Sequence, residues 1–200
     1  PYGGGMSAGP FHSQCPEAWF MHVPGLKILA PSNPIDAKGL LHSAIEDPNP
    51  VLFFEHKGLY RSIKEEVSTN YYNIEIGKAK IIKHGKDLTI ISYGKAITWI
   101  TDYIAKHNQE DIDIELIDLR TLSPLDWGTI ENSVAKTNRI LIIHEANLSG
   151  GIGAEIAAHI SENFFETLDA PVIRVASLDT PVPFSADIER DIYLPVSRIK

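Results

Sequence analysis

Histidine is the side chain in this sequence best suited to moving protons, because imidazole titrates near neutral pH. The chain has eight histidines and a single cysteine. His12 stands apart because it lies in a predicted loop of glycine- and proline-rich backbone, Gly9-Pro10-Phe11-His12-Ser13-Gln14, with Glu17 five residues further on. Such loops on rigid α/β scaffolds often face ligands. An isolated loop histidine is more often structural than catalytic, so His12 is a candidate catalytic residue whose local features alone do not decide between the two roles.

Most of the other histidines have ordinary structural explanations. They lie inside predicted helices, in polar turns or beside strands, and they are His42, His159, His84, His107, His22 and His56. No two histidines have the i, i+4 spacing of a helical zinc site.

The remaining histidine, His144, precedes Glu145 and the glycine-rich run Ser149-Gly150-Gly151-Ile152-Gly153-Ala154. A glycine loop that opens a helix could hold a phosphate group through its free N–H groups. The run is an incomplete dinucleotide-binding motif and follows a late strand of its domain, whereas that motif normally follows the first. We favour the other interpretation, a tight turn with close contact between helix and sheet.

Two further patterns suggest chemistry at first sight. Gly5-Met6-Ser7-Ala8-Gly9 matches the G-x-S-x-G motif of hydrolases, but that motif needs a strand before the serine and a helix after it, whereas glycines precede Ser7 and Pro10 follows. The acidic pair Glu46-Asp47 ends a predicted helix, where carboxylates face the unfavourable pole of the helix dipole. Two solvated surface carboxylates are the favoured explanation, and a bound cation is the alternative.

The elements that must position these residues follow an α/β pattern. An apolar strand at 26–30, a helix at 35–46 and a second strand at 51–55 form a β-α-β unit, which predicts parallel strands. Residues 57–76 lose this periodicity and suggest a linker. Strands then alternate with helices again: strands at 79–83, 88–93, 112–119, 139–144 and 172–175, helices at 96–107, 126–136 and 152–165. This alternation predicts a second α/β domain with a mostly parallel sheet flanked by helices.

Composition narrows the class of protein. There are 18 basic and 26 acidic residues, a net charge of −8, and no basic cluster, which argues against nucleic acid or an anionic membrane as partner. One cysteine allows no internal disulfide and fits a reducing compartment. No apolar run approaches the length of a membrane span, and the first residues do not form a secretory signal. We expect a soluble, intracellular protein, and we expect a fragment because the chain starts at Pro1 in a glycine-rich loop.

Residues 12–27 resemble the signature H-S-Q-x-x-E-A-x-F-x-H-x-P-G-x-K of the β-subunits of thiamine-diphosphate-dependent 2-oxo acid dehydrogenases. They read His12-Ser13-Gln14-Cys15-Pro16-Glu17-Ala18-Trp19-Phe20-Met21-His22-Val23-Pro24-Gly25-Leu26-Lys27. The similarity continues in the second domain, for example through Asp118-Leu119-Arg120-Thr121-Leu122-Ser123-Pro124 and Asp179-Thr180-Pro181.

The resemblance implies a transketolase-like architecture. Residues 1–60 would be the second half of a pyrimidine-binding domain, 61–75 a linker, and 76–200 a complete transketolase carboxyl-terminal domain. The enzymes of this family decarboxylate a 2-oxo acid on thiamine diphosphate and pass the acyl group to a lipoyl arm. The histidine that matches His12 lies in their active-site channel and assists acylation of the lipoyl group.

The resemblance also implies cofactors. A potassium ion would be bound partly by backbone carbonyls at Ala44, Asp47 and Asn49. No cofactor-binding residue is assigned within the chain, because the glutamate that activates the aminopyrimidine would lie upstream, and the diphosphate and magnesium ligands would belong to an α-subunit or α-part. We therefore expect the fragment alone to be inactive.

The resemblance also implies a class of substrate and a set of partners. Leu59-Tyr60-Arg61 followed by Lys64-Glu65-Glu66-Val67 resembles branched-chain enzymes more than pyruvate enzymes. The implied partners are the α-subunit or α-part, a second β-subunit, and the lipoyl and subunit-binding domains of the transacylase core, in the cytoplasm or the mitochondrial matrix. A non-catalytic module for assembly and core docking and a transketolase-type carboligase are the alternatives.

Overall fold

A computed structural model describes residues 1–107 and 112–199. The amino-terminal part contains two short helices, α1 (Gly9–His12) and α2 (Glu17–Met21), followed by β1 (Lys27–Leu29), α3 (Pro34–Glu46) and β2 (Val51–Phe53). The Asn33 side chain caps α3 by accepting from the N–H of Asp36, and Pro34 opens the helix. β1 and β2 pair in parallel, with Ile28 opposite Leu52, as the β-α-β pattern predicts.

The second part is built on a five-stranded sheet flanked by helices. In chain order it contains β3 (Lys80–Lys83), β4 (Leu88–Ser92), α4 (Lys95–Lys106), β5 (Ile114–Asp118), β6 (Thr121–Ser123), α5 (Trp127–Thr137), β7 (Ile140–Asn147), α6 (Ile152–Phe164), β8 (Ile173–Ser177) and α7 (Ala186–Ile188). The order in the sheet is β3-β5-β4-β7-β8, parallel except for the edge strand β3. The predicted α/β class and mostly parallel sheet are confirmed.

β6 was not predicted, and it ties the two parts together. It pairs antiparallel with β1, so the first sheet has the order β2-β1-β6 and takes one strand from the second part of the chain. The main apolar core is continuous across this join, since Ile28 and Ile91 are both fully buried in it. Side chains reinforce the join: Ser32 donates to Asp118, and Arg120 binds Asp36 at 3.2 Å.

The predicted linker, 61–75, contains neither helix nor strand, but it is packed against α3. The Ser43 hydroxyl donates to the Ile74 carbonyl at 2.6 Å, and Ile74 lies over Gly39, where a Cβ would come within 2.6 Å of its side chain. A side chain at position 39 would therefore push the segment off the helix.

Candidate functional site

His12 is the last residue of helix α1, where the sequence predicts a loop. Pro10 lies in the first turn of this four-residue helix and suits it, because a fixed φ and a missing N–H cost nothing there. The His12 side chain is exposed and hydrogen-bonds to no residue that the structure describes. The imidazole is therefore accessible to a bound molecule.

The backbone around His12 is held from both sides. Gly3 N–H donates to the Gln14 carbonyl at 3.0 Å, and the Gln14 side chain donates to the Pro10 carbonyl. Ser13, between His12 and Gln14, is buried. The imidazole is thus a free side chain on a fixed backbone.

A glycine-rich loop, residues 3–7, precedes this helix. Gly3, Gly5 and Ser7 have positive φ angles of 90°, 79° and 54°. Glycine adopts this conformation without strain, whereas serine does so at a cost. Gly3 has a second reason to be glycine, since a Cβ there would lie 2.0 Å from the His56 ring.

His56 and Glu145 form a buried hydrogen bond beneath this loop. The His56 Nε2 lies 2.7 Å from Glu145 Oε2, and the two side chains are almost completely buried. Gly58 N–H donates to His56 Nδ1, so the proton is on Nε2 and donates to Glu145. Burial raises the pKa of Glu145 and is the largest single effect, but the interactions with His56, the Gly4 N–H and Cys15 together outweigh burial and hold that pKa below its usual value.

Sequence reasoning missed this pair because it treated His56 as an ordinary residue beside a strand. The partners are 89 residues apart. No local spacing signals such a contact, which arises only when β7 of the second part is placed against the end of β2.

A second buried carboxylate lies nearby. Glu17 is fully buried and accepts from the Tyr93 hydroxyl at 2.5 Å. Burial raises its pKa from 4.5 to about 7, against the opposing effect of the Tyr93 hydrogen bond. Glu17 Oε2 and the Ser13 hydroxyl are buried without a hydrogen-bond partner among the described residues.

His144 is a packing residue. It is fully buried, its Nδ1 lies 3.1 Å from the Ala146 carbonyl, and burial lowers its pKa to about 4. A Cβ on Gly151 or Gly153 would come within 2.7 Å of its ring. The glycines therefore allow α6 to pack closely on the sheet, as the sequence favours.

The residues expected to bind potassium lie at the end of α3. Glu46 is exposed and accepts from Asn73 Nδ2 at 2.5 Å, while the Asp47 carboxylate pairs with Lys27 and accepts from the Asn49 N–H at 2.9 Å. The acidic pair thus has protein partners. The Ala44 carbonyl would be paired in a longer helix by residue 48, but Pro48 has no N–H. This end fits a cation bound by backbone carbonyls, not by the Asp47 side chain.

Among the described residues, no group of three or more His, Cys, Asp or Glu side chains could hold a metal ion. A cavity of about 220 Å³ lies where β1 and β2 end, lined by residues that include Pro31, Asn33, Glu55, Leu59 and Tyr60. No Lys or Arg lines it, so it does not fit a diphosphate group. These residues therefore do not fit a thiamine diphosphate site.

No helix in the described parts of the chain is long and apolar enough to cross a membrane.

The pattern of the transketolase pyrimidine binding domain matches residues 1–63, and that of the transketolase C-terminal domain matches residues 77–199. A split-gene transketolase described as an inactive β4 tetramer has a TM-score of 0.76 at 23% identity, covering 98% of this chain and 61% of that one. This structural likeness shows the fold.

Several curated relatives are similar along nearly the whole chain. The 2-oxoisovalerate dehydrogenase subunit beta 2 of Arabidopsis thaliana is 48% identical over 98% of this chain and 54% of its own length. The pyruvate dehydrogenase E1 subunit beta-2 of Oryza sativa is 46% identical over 95% and 51%, and an acetoin oxidoreductase subunit beta of Bacillus subtilis 46% over 97% and 56%. The chain spans about half the length of the curated relatives it matches. It belongs to the transketolase family, with its pyrimidine-binding and C-terminal domains, and its relatives include the β-subunits of 2-oxo acid dehydrogenases.

Proposed function

We propose that the chain is part of the β-subunit, or β-part, of a 2-oxo acid dehydrogenase. The complete enzyme would decarboxylate a 2-oxo acid on thiamine diphosphate with magnesium and transfer the acyl group to a lipoyl domain. The relatives named above support this proposal, as does the signature around His12.

The observation that carries the proposal is the exposure of the His12 side chain on a fixed backbone. Its imidazole is exposed and free of hydrogen bonds to the described residues, while its backbone is fixed on both sides. Opening the lipoyl dithiolane forms a carbon–sulfur bond at one sulfur and leaves the other sulfur with an electron pair that needs a proton. An imidazole can donate that proton near neutral pH. His12 is thus assigned to lipoyl acylation, not to decarboxylation.

The cofactor would supply the stabilisation of the carbanion left by decarboxylation. The residues that line the cavity at the ends of β1 and β2 do not fit a diphosphate group, and we propose that groups outside these 200 residues hold the cofactor. We expect the isolated chain neither to bind thiamine diphosphate tightly nor to turn over substrate. Calorimetric titration with thiamine diphosphate and magnesium tests this, and micromolar binding to the isolated chain would contradict it.

The role of His12 is tested in the complete enzyme with His12→Asn. Decarboxylation is followed with an artificial electron acceptor, and acylation is followed by mass spectrometry of a lipoyl domain. We expect acylation to fall by roughly 10²- to 10⁴-fold, the range for a lost general acid, with decarboxylation little changed. His84→Asn, at an exposed position, is the matched control. Equal acylation by both variants would refute the assignment.

For the substrate, we propose a branched-chain 2-oxo acid, on the basis of residues 59–67. The relatives include both branched-chain and pyruvate enzymes at similar identity, 47% for the 2-oxoisovalerate dehydrogenase subunit beta of Dictyostelium discoideum and 46% for the pyruvate enzyme of Oryza sativa. The rates of the complete enzyme with 3-methyl-2-oxobutanoate and with pyruvate decide between them. A higher kcat/KM for pyruvate would reject the branched-chain assignment.

Assembly is the second candidate function, for the carboxyl-terminal domain. Exposed apolar side chains favour it: Phe165 and Phe184 are 78% and 59% exposed. We propose as partners the α-subunit, a second β-subunit and the lipoyl and subunit-binding domains. We also propose a potassium ion bound by the backbone carbonyls of Ala44, Asp47 and Asn49. The compartment would be the cytoplasm, or the mitochondrial matrix in a eukaryote. Salt-sensitive binding to the subunit-binding domain tests the docking role.

A further inference from the structure

Two carboxylates of the carboxyl-terminal domain bind the backbone of the glycine-rich loop, residues 3–7. The N–H of Gly4 donates to Glu145 Oε1 at 2.5 Å. The N–H of Gly5 donates to Glu189 Oε1 at 2.9 Å, and the N–H of Ser7 donates to Glu189 Oε2 at 3.0 Å. Both glutamates are almost fully buried, at 4% and 2% exposure. Hydrogen bonds to buried ionised groups are among the stronger ones in proteins.

The two carboxylates converge on Gly4. A Cβ at this position would lie 2.8 Å from Glu189 Oε1 and 3.2 Å from Glu145 Oε1. Only a residue without a side chain lets both carboxylates approach the same stretch of backbone. The His56 ring beneath the loop donates to Glu145 and so offsets the crowding of two acidic groups.

The loop keeps one conformation only if groups elsewhere in the chain bind its backbone. Its residues 3, 5 and 7 alternate into the left-handed region, and glycines in an isolated chain sample many other conformations. With its N–H groups bound, the loop loses this freedom. The carboxylates therefore decide which conformation leads into α1 and His12.

The same carboxyl-terminal segment also contacts α1 itself. Phe184, five residues before Glu189, covers Gly9, where a Cβ would come within 2.5 Å of the ring. The Phe184 ring also lies 6.4 Å from that of Phe11, the neighbour of His12. Residues 184–189 thus hold the backbone both before and within the helix that ends at His12.

We propose that Glu145 and Glu189 are positioning residues for His12: by binding the N–H groups of Gly4, Gly5 and Ser7, they make the placement of this histidine depend on the carboxyl-terminal domain. The link to catalysis rests on the proposed role of His12 in lipoyl acylation.

The test uses Glu189→Gln in the complete enzyme. The amide of glutamine offers one oxygen and turns an NH₂ group towards a second N–H donor, so one of the two loop hydrogen bonds is lost. Glu162→Gln, an exposed position on α6, removes the same charge and is the matched control. Glu145→Gln is the second variant, and circular dichroism and the midpoint of thermal unfolding show whether each variant folds.

Two measurements separate positioning from mere stability. Hydrogen–deuterium exchange of the amides of residues 4–7 should rise by roughly tenfold or more in Glu189→Gln, as a lost charge-assisted bond implies. Lipoyl acylation should fall by roughly tenfold, because a displacement of His12 by about 1 Å suffices for such a loss. Decarboxylation with an artificial acceptor should stay within about twofold. A general loss of stability would lower both activities together.

The outcomes are distinct. Unchanged exchange of the loop amides in both glutamate variants overturns the proposal. Faster exchange with normal acylation also overturns it, provided that His12→Asn loses acylation. If His12→Asn retains acylation, the proposed function fails separately, and the exchange of residues 4–7 alone then decides whether the carboxylates hold the loop.

Discussion

Replacing Glu17 with glutamine should change how the stability of this chain depends on pH. The carboxyl group is fully buried, has one hydrogen bond from Tyr93, and its second oxygen has no partner among the described residues. Burial raises its pKa from 4.5 to about 7. The group is therefore protonated in the folded protein over a range of pH in which the unfolded chain has released the proton.

The sign and magnitude follow from linkage. Below pH 4.5 both states are protonated and the folded state bears no penalty for Glu17. As the pH rises towards 7, the unfolded state gains by ionising and the folded state does not, so stability falls by up to about 3 kcal/mol. Glutamine is neutral throughout and keeps the size of the side chain. The Glu17→Gln variant should therefore lack this decline.

Asp118 provides an internal comparison, since burial raises its pKa from 3.8 to about 7 as well. Wild-type protein should lose stability between pH 5 and pH 7 from both groups, and Glu17→Gln should retain only the part due to Asp118. Urea unfolding followed by circular dichroism at constant ionic strength measures this directly. Glu162→Gln serves as the exposed control. Parallel pH profiles for wild type and Glu17→Gln would refute the reasoning.

Three further changes test other parts of the structure. Gly3→Ala should destabilise the chain by about 3 kcal/mol or more, because the φ of 90° is strained for alanine and the added Cβ would overlap the His56 ring; an unchanged urea midpoint would contradict this. Arg120→Met should cost about 3 kcal/mol, since it removes the buried partner of Asp36, and Asp36→Asn in the same background should recover part of that loss. Potassium chloride should raise the midpoint of thermal unfolding by about 2 °C relative to sodium chloride at equal ionic strength, through carbonyls at the end of α3; equal midpoints would argue against a potassium site.

The fold could largely be read from local patterns, because each predicted strand and helix has its own periodicity. The ends of α3 and α6 lie within about one residue of the predicted ones, an agreement typical of strongly patterned elements. β6 was missed since three residues, Thr121–Ser123, are too few for a pattern. Its pairing with β1 depends on contacts between residues almost a hundred positions apart.

The candidate site also contains residues that the sequence predicts and residues that it does not. His12 could be singled out from its neighbours in the sequence, because glycine, proline and a signature surround it. His56, Glu145 and Glu189 could not, since each appears ordinary among its own neighbours and acquires meaning only from the others. Glu189 lies in a short π-helical turn, Glu189–Tyr193, which no periodicity predicts.

The structure also gives a physical explanation for the glycine-rich loop, residues 3–7, before His12. Successive N–H groups of glycine-rich backbone form an anion-binding surface, and in many proteins that anion is a phosphate. Here the anions are the carboxylates of the protein's own Glu145 and Glu189. The run therefore serves to join two domains, and the signature around His12 describes only half of what places the histidine. The other half lies more than 130 residues further along the chain, in the domain for which an assembly role is proposed.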